Sequence, residues 1–163
     1  MNQQATREKM EGKAKTTKKT FSRETSVSTI ISAYPAIIWA LLTRASDIPR
    51  WNSTVTSVKG DIQEGETIEL TSTLDPKRSF KLKVKEFVPE KRLVWGDAMG
   101  SRVHTLDKDT DGEVRFAMTE KIGGPLFPLF ARSIPSFDES FERYAADLKR
   151  EAETIQRSKK SLE

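Results

Sequence analysis

The chain lacks cysteine altogether and contains a single histidine, His104, among its 163 residues. The lack of cysteine excludes disulfide bonds, thiolate nucleophiles and cysteine-ligated metals. One histidine alone does not supply the ligands of a typical zinc or haem site, and no acidic spacing indicates a di-metal centre. No nucleophile elbow accompanies the histidine, so a serine triad is not indicated. We therefore expect neither a metal nor a cofactor.

Long apolar runs are also lacking. The longest, around residues 36–42, is far shorter than the roughly 20 residues that a membrane-spanning helix needs. The apolar core of a secretory signal is missing as well. These features predict a cytoplasmic protein without a transmembrane segment, with a nuclear location as an alternative if the basic N-terminal residues act as a targeting signal.

An excess of charge of one sign is confined to the N-terminus. Of the 28 basic and 24 acidic residues, six and two lie within residues 1–20, so the rest of the chain carries 22 of each. The folded part therefore has no basic excess, and we expect no specific nucleic-acid binding. Residues 1–20 have no aromatic residue and no apolar run, which predicts a disordered tail. This tail is either a targeting or anionic-surface segment or a solubilising extension.

The remaining sequence suits one domain over residues 21–157, followed by a polar, frayed C-terminus at 158–163. Alternating apolar and polar residues predict seven strands, at 21–31, 55–60, 66–74, 79–88, 92–98, 102–107 and 113–122. The last six are separated by short turns, which require antiparallel pairing. A short helix that begins at Pro35 interrupts the series after the first strand.

A long amphipathic helix follows the strands. Its apolar residues recur at steps of three and four: Phe137, Phe141, Tyr144, Ala145, Leu148, Ala152 and Ile155. We expect this helix to begin near Pro128 and to be kinked at Pro135. The predicted fold is α+β, with a curved antiparallel sheet of six to seven strands around a long C-terminal helix and an internal cavity.

This order of elements resembles the SRPBCC superfamily, the START and birch-pollen-allergen helix-grip fold, and in particular its polyketide cyclase/dehydrase-like branch. The resemblance covers about residues 21–155. It is carried by SDIPRWN after the first helix, EGETIEL, VPEKRLVW, and TEKIGGPLFPLF before the last helix. The resemblance implies a deep cavity that binds or carries lipids, polyketides or other hydrophobic molecules. It supplies no family-wide catalytic motif.

Three functions are compatible with these features. The first is binding or transport of a small hydrophobic ligand. The second is a cyclase/dehydratase-type enzyme that acts on a hydrophobic carbonyl substrate by acid/base chemistry. The third is a protein-interaction module similar to the chaperone activators of the superfamily, in which the outward lysines Lys81, Lys83 and Lys85 contact an acidic partner. Whether the protein is a monomer or a dimer is open.

The strand patterns also indicate which polar residues face inwards. Glu120 shares a face with Phe116 and Met118, and Arg102 and His104 face inwards if Leu106 does. The register with Val103 and Thr105 inwards is nearly as good. Glu120, His104 and Arg102 are the candidate catalytic residues, but Glu120 and Arg102 could instead form an interior ion pair beside a packed histidine.

The candidate ligand-binding residues combine this polar group with apolar wall residues, although each apolar residue could simply belong to the core. The set is Trp51, Leu70, Phe80, Leu82, Trp95, Arg102, His104, Phe116, Met118, Glu120, Phe130, Phe137 and Phe141. We expect the cavity mouth to lie between Phe127 and Phe130 on one side and Trp51 with Ile48 on the other.

Overall fold

The computed structural model describes Gln3 and residues 10–162. The described residues form one antiparallel sheet of eight strands in the order β1-β2-β8-β7-β6-β5-β4-β3. The strands are β1 (Lys15–Lys18), β2 (Ser22–Ile31), β3 (Val55–Lys59), β4 (Thr67–Ser72), β5 (Ser79–Val88), β6 (Arg92–Gly96), β7 (Gly100–Lys108) and β8 (Val114–Gly123). The seven predicted strands are confirmed in order and type, and β3 to β8 form the predicted meander.

The helices are α1 (Pro35–Thr43), α2 (Ile48–Trp51), α3 (Phe127–Phe130) and α4 (Asp138–Leu162). Short 3-10 turns at Ala45–Asp47 and Ala131–Ser133 adjoin α2 and α3. None of the helices in the described part of the chain is both long and apolar enough to cross a membrane.

The eighth strand corrects the prediction of a disordered tail over residues 1–20. Lys15–Lys18 pairs with β2 as an edge strand, and Thr16 Oγ1 lies 2.9 Å from Thr25 Oγ1. The strand has no apolar period because its partners are backbone groups and threonine hydroxyls, so the sequence pattern could not reveal it. Residues 1–2 and 4–9 of the predicted tail lie outside the described residues.

The C-terminal helix also differs from the prediction at both ends. Instead of one helix kinked at Pro135, α3 and α4 are separate, because Ile134 is extended and a proline cannot donate a backbone hydrogen bond. The helix restarts where Phe141 N donates to Phe137 O at 2.8 Å. At the other end α4 continues to Leu162 rather than fraying from residue 158, and Glu163 lies outside the described residues.

The core lies between the concave face of the sheet and α4. Helix residues Phe141, Tyr144, Ala145, Leu148 and Ala152 are buried, and they pack with Phe116 and Met118 of β8 and with Leu106 of β7. The Tyr144 and Phe116 rings are stacked, with centroids 6.2 Å apart. This packing fixes the helix across the sheet and fills the interior over most of the helix length.

The fold predicts a clear contrast between two leucines of α4. Leu148 is fully buried in this core, whereas Leu162 is 88% exposed at the end of the helix. We expect Leu148→Ala to lower the free energy of unfolding by about 2–5 kcal/mol, because it leaves a cavity. The control, Leu162→Ala, should change it by less than about 0.5 kcal/mol. Urea unfolding of both variants tests this, and equal effects would contradict the packing described here.

Candidate functional site

A cavity of about 450 Å³ lies at the N-terminal end of α4, between the concave face of the sheet and the segment that contains α3. Its volume falls within the range of about 300–1,000 Å³ that is usual for small-molecule sites. Its apolar wall consists of Leu70, Phe80, Leu82, Trp95, Ile122, Phe130, Ile134, Pro135 and Phe137. The cavity is therefore formed by five strands and covered by one short irregular segment.

The cavity opens to solvent at the end of the sheet where β4 meets β5 and β6 meets β7. Leu74 and Met99 line it there, and both are substantially exposed. The exposed Arg78 also lines this opening, with its guanidinium 4.6 Å from the centre of the Phe80 ring. The mouth is thus made of turn residues, with α3 on the opposite side.

Three charged residues line the mouth of the cavity, in or next to its turns: Asp75, Arg78 and Asp97. Two further charged side chains line the cavity among the apolar residues of the strands. Arg102 of β7 and Glu120 of β8 are directly opposite in the sheet, and Arg102 Nη2 lies 3.3 Å from Glu120 Oε2. Their side chains are 17% and 20% exposed. The Arg102 guanidinium also lies 5.0 Å from the centre of the Phe141 ring. The interior ion pair that the sequence indicated is therefore present.

A second arginine acts on the same carboxylate. Arg23 of β2 is buried, and its guanidinium donates to Ile134 O at 3.1 Å and Pro135 O at 2.7 Å. Burial lowers the pKa of Arg23 below its ordinary value, and the charges of Glu120 and Asp138 oppose that shift. Arg23 thereby fixes the segment between α3 and α4 over the cavity, and it adds positive charge near Glu120.

His104 lies behind the cavity wall rather than in it. It faces inwards together with Leu106, which settles the register of β7. Its Nδ1 lies 3.1 Å from Leu93 O, and its ring packs edge-on against Trp95 at 4.6 Å. Burial, together with the nearby charge of Arg102, lowers the pKa of His104 to about 3. The imidazole is therefore neutral at physiological pH and donates to Leu93.

This arrangement bears on the acid/base hypothesis. His104 is not among the residues that line the cavity, and its low pKa makes it unsuited to hold or accept a proton near neutral pH. Glu120 is engaged by Arg102. The two residues that were candidates for proton transfer thus have structural partners.

The structure brings together eight of the thirteen predicted ligand-binding residues. Leu70, Phe80, Leu82, Trp95, Arg102, Glu120, Phe130 and Phe137 line the cavity, and their role in binding stays a prediction. The other five do not line it and are corrected as follows: Trp51, His104, Phe116, Met118 and Phe141 are buried in the core. The physical reason is α4. Its residue Tyr144 packs against Trp51 and Phe116, and Phe141 is part of the same buried helix face.

Of the four residues predicted to form the mouth, Phe130 lines the cavity and the other three do not. Ile48, Trp51 and Phe127 are all buried, so they cannot form an opening. The sequence also did not indicate Leu74, Arg78 and Met99, which lie in turns or next to them, where strand periodicity gives no signal. Arg23 could have been found, because it shares the inward face of β2 with Thr25 and Val27.

The curved sheet, the long C-terminal helix and the cavity between them define a helix-grip fold. The sequence matches the family described as polyketide cyclase / dehydrase and lipid transport over residues 22–153. Because this match spans most of the chain, the protein belongs to that family, within the SRPBCC superfamily. The predicted superfamily and branch are therefore confirmed.

Solved structures of the same fold share little sequence with the chain. A conserved protein of unknown function, EF2215 from Enterococcus faecalis, is 15% identical with a TM-score of 0.64, over 87% of this chain and 78% of that chain. Protein MLL2253 from Mesorhizobium loti is 17% identical with a TM-score of 0.62, over 78% and 95%. Protein NE0264 from Nitrosomonas europaea is 14% identical with a TM-score of 0.59, over 89% and 99%. A search of curated proteins found no match.

Burial of neutral His104 predicts a pH-dependent stability. Its pKa is about 3 in the folded protein against an ordinary 6.5, so the unfolded chain takes up a proton that the folded protein does not. The resulting stabilisation of the folded protein is complete above the ordinary histidine pKa of 6.5, and it is lost as the pH falls below that value towards the folded pKa of about 3. We expect a loss of about 2 kcal/mol between roughly pH 7 and pH 5. Urea unfolding across this range measures it.

The control is His104→Asn, which removes the only titrating imidazole. Whatever its overall stability, this variant should show a distinctly smaller dependence on pH in the same interval. An identical slope in both proteins would contradict the assignment of a neutral, buried imidazole.

The Arg102–Glu120 pair predicts a second contrast. We expect Glu120→Gln to lower the free energy of unfolding by about 1–2 kcal/mol, because Arg102 would keep a largely buried charge without its counter-ion. The control is Glu86→Gln, since Glu86 pairs with Arg92 across exposed positions of β5 and β6. Its effect should be below about 0.5 kcal/mol. Equal effects in urea unfolding would show that the interior pair is not desolvated.

Proposed function

We propose that this protein binds, and carries, a small hydrophobic molecule with one polar group in the cavity beneath α3. The observation that carries the proposal is an open, largely apolar cavity of about 450 Å³ whose wall contains one charged pair, Arg102 and Glu120. Family membership supports the same class of function, because the family description includes lipid transport.

The apolar wall supports a hydrophobic body for the ligand. Aromatic and aliphatic side chains come from four strands and from the covering segment, with Trp95 at the interior and Phe130 and Phe137 on the opposite side. Water in such a space gains few hydrogen bonds, so an apolar molecule that replaces it is favoured by the area removed from solvent. Ligand size is limited by the volume, which suits one acyl chain or a small ring system better than a whole phospholipid.

The charged pair supports a polar group on the ligand that accepts hydrogen bonds. A guanidinium carries five N–H donors, and Glu120 takes one of those of Arg102. Arg23 adds a second positive charge near the same carboxylate. Because Glu120 takes only one of the Arg102 donors, the donors that remain favour a carbonyl, hydroxyl or carboxylate oxygen of the ligand over a cationic group.

The function can be tested with a bulky substitution in the wall. Leu82 lines the cavity from β5, and Val88 is exposed at the end of the same strand. We expect Leu82→Trp to weaken binding of the fluorescent fatty acid cis-parinaric acid by roughly tenfold or more, because the indole occupies the space of the acyl chain. The matched control, Val88→Trp, should bind like the unmodified protein. Fluorescence titration of all three proteins measures this.

Native mass spectrometry of the freshly purified protein complements this titration. A hydrophobic adduct in the unmodified protein and in Val88→Trp, but not in Leu82→Trp, would identify the class of ligand and place it at the cavity. If the unmodified protein neither retains an adduct nor binds the probe, or if Leu82→Trp binds it equally well, the cavity is not the binding site and the proposal fails.

A further inference from the structure

Exposed hydrophobic residues are concentrated at one end of the molecule. In the described part of the chain, nine large hydrophobic residues are exposed, and five of them lie at the end where the cavity opens. These five are Phe21, Leu74, Met99, Leu126 and Leu129. We call this set, with the turns that carry it, the mouth surface. A cluster of exposed apolar residues is unusual on a monomeric protein, and such a cluster marks an interaction site more often than single exposed apolar residues do.

Backbone contacts hold the parts of the mouth surface together. Gly124 N donates to Phe21 O at 3.0 Å, and Gly123 N donates to Met99 O at 2.9 Å. Gly124 has a φ of 142°, a conformation that other residues rarely adopt, and it turns the chain from β8 towards α3. Leu74 and Met99 line the same cavity as Phe130 of α3. The mouth surface is therefore continuous with the rim of the cavity.

The α3 segment has two opposite faces. Phe127 is 3% exposed and its ring packs edge-on against Phe130, so this side attaches α3 to the body of the protein. Leu126 and Leu129 are 63% and 82% exposed on the other side. A soluble protein gains nothing from two leucines presented to water in this way, and they are the most exposed part of the mouth surface.

The mouth surface is surrounded by more positive than negative charge. The exposed basic residues of its turns and of the adjoining strands are Lys19, Lys77, Arg78, Lys85, Lys121 and Arg132. Lys85 and Lys121 line a shallow groove beside Phe21 and Met99. The exposed acids of the same turns and strands are Glu24, which lies opposite Lys121 in the sheet, Asp75 and Asp97. The Asp97 carboxylate accepts from Met99 N and Gly100 N. Five of these six basic residues lie outside residues 1–20, where the chain is neutral by count, so the local excess is a feature of this surface.

We propose that the mouth surface docks on an anionic lipid bilayer. Leu126, Leu129 and the neighbouring apolar tips enter the headgroup region, while the basic residues face the lipid phosphates. Apolar side chains flanked by lysine and arginine are the combination that favours the interface of a negatively charged membrane. The inference rests on the proposed function, since docking in this orientation would place the cavity mouth against the lipids from which a hydrophobic ligand comes.

Charge complementarity favours a bilayer over a second copy of the chain. In a symmetric dimer through this surface, each basic rim would face the same basic rim of its partner, which opposes association. An anionic bilayer instead neutralises all of these charges together. Docking should therefore weaken as the ionic strength rises.

The test is vesicle flotation of the full chain with phosphatidylcholine vesicles that contain or lack phosphatidylglycerol. We expect flotation with the anionic vesicles at low ionic strength and little with the neutral ones. The double variant Leu126→Ser with Leu129→Ser should reduce partitioning by roughly tenfold or more, because two leucines no longer enter the lipid. The matched control, Val88→Ser with Leu162→Ser, alters exposed residues away from the mouth surface and should bind normally.

A charge pair of variants tests the electrostatic part. Lys121→Glu with Arg132→Glu should lose binding to anionic vesicles. Lys91→Glu with Lys108→Glu, at the other end of the sheet, should bind like the unmodified protein. Absence of flotation with anionic vesicles, or equal effects of the two charge variants, would overturn the proposal. So would a dimer in sedimentation velocity that the double leucine variant converts to a monomer, because a second copy would then cover the surface.

Binding of cis-parinaric acid without vesicles separates this inference from the proposed function. The double leucine variant should bind the probe normally, since neither leucine lines the cavity. A protein that binds the probe but no vesicle keeps the proposed function and loses the docking proposal. A double variant that loses both would overturn the assignment of the leucines to the docking surface.

Discussion

The structure depends on how far the apolar face of α4 extends across the concave side of the sheet. From Phe141 to Ala152 the helix buries a continuous stripe against the concave side of the sheet, with β2 as the nearest strand, and this part of the interior is filled. Before Asp138 there is no long helix, because the chain between α3 and α4 is extended and contains Pro135. The sheet continues where the helix does not. The cavity is therefore a consequence of where α4 begins.

That geometry also explains why charge is tolerated beside the cavity. Arg102 and Glu120 lie on neighbouring strands at the boundary between the filled core and the cavity, with partial access to solvent. An ion pair in this position avoids the full cost of desolvation. It is still shielded from water enough for the attraction between its two charges to be stronger than in an exposed pair. Well-packed apolar residues would serve stability equally well there. The pair gives the cavity a polarity that stability does not require, which is the physical basis for expecting a polar group on the ligand.

Most of the fold could be predicted because its elements bury one face each. Period-two patterns and short turns indicated the seven strands from β2 to β8, and steps of three and four indicated α4. The edge strand β1 carries no such pattern, since it consists only of lysine and threonine and its contacts are mostly backbone pairing with β2. The inward face of β8 was also predictable, which is how Glu120 was placed near Arg102.

The site was less predictable than the fold, because a strand pattern says which face is inward but not what lies in front of it. Phe116 and Leu82 are both on the concave side, yet Tyr144 covers the first and open space lies before the second. Only the position of α4 decides between core and cavity. The mouth was missed because it is formed by turns, in which Leu74 and Met99 belong to no periodic set.

The α3 segment links the two proposals through its own small size. A helix of four residues has little stability by itself, so its position depends on its attachments. These are the buried Phe127 on one side and, on the other, the carbonyl groups of Ile134 and Pro135 held by Arg23. Phe130 of the same segment lines the cavity. Any partner that binds Leu126 and Leu129 therefore acts directly on the residues that cover the cavity, and it can move this segment only if it binds a second position of the segment more tightly than this one.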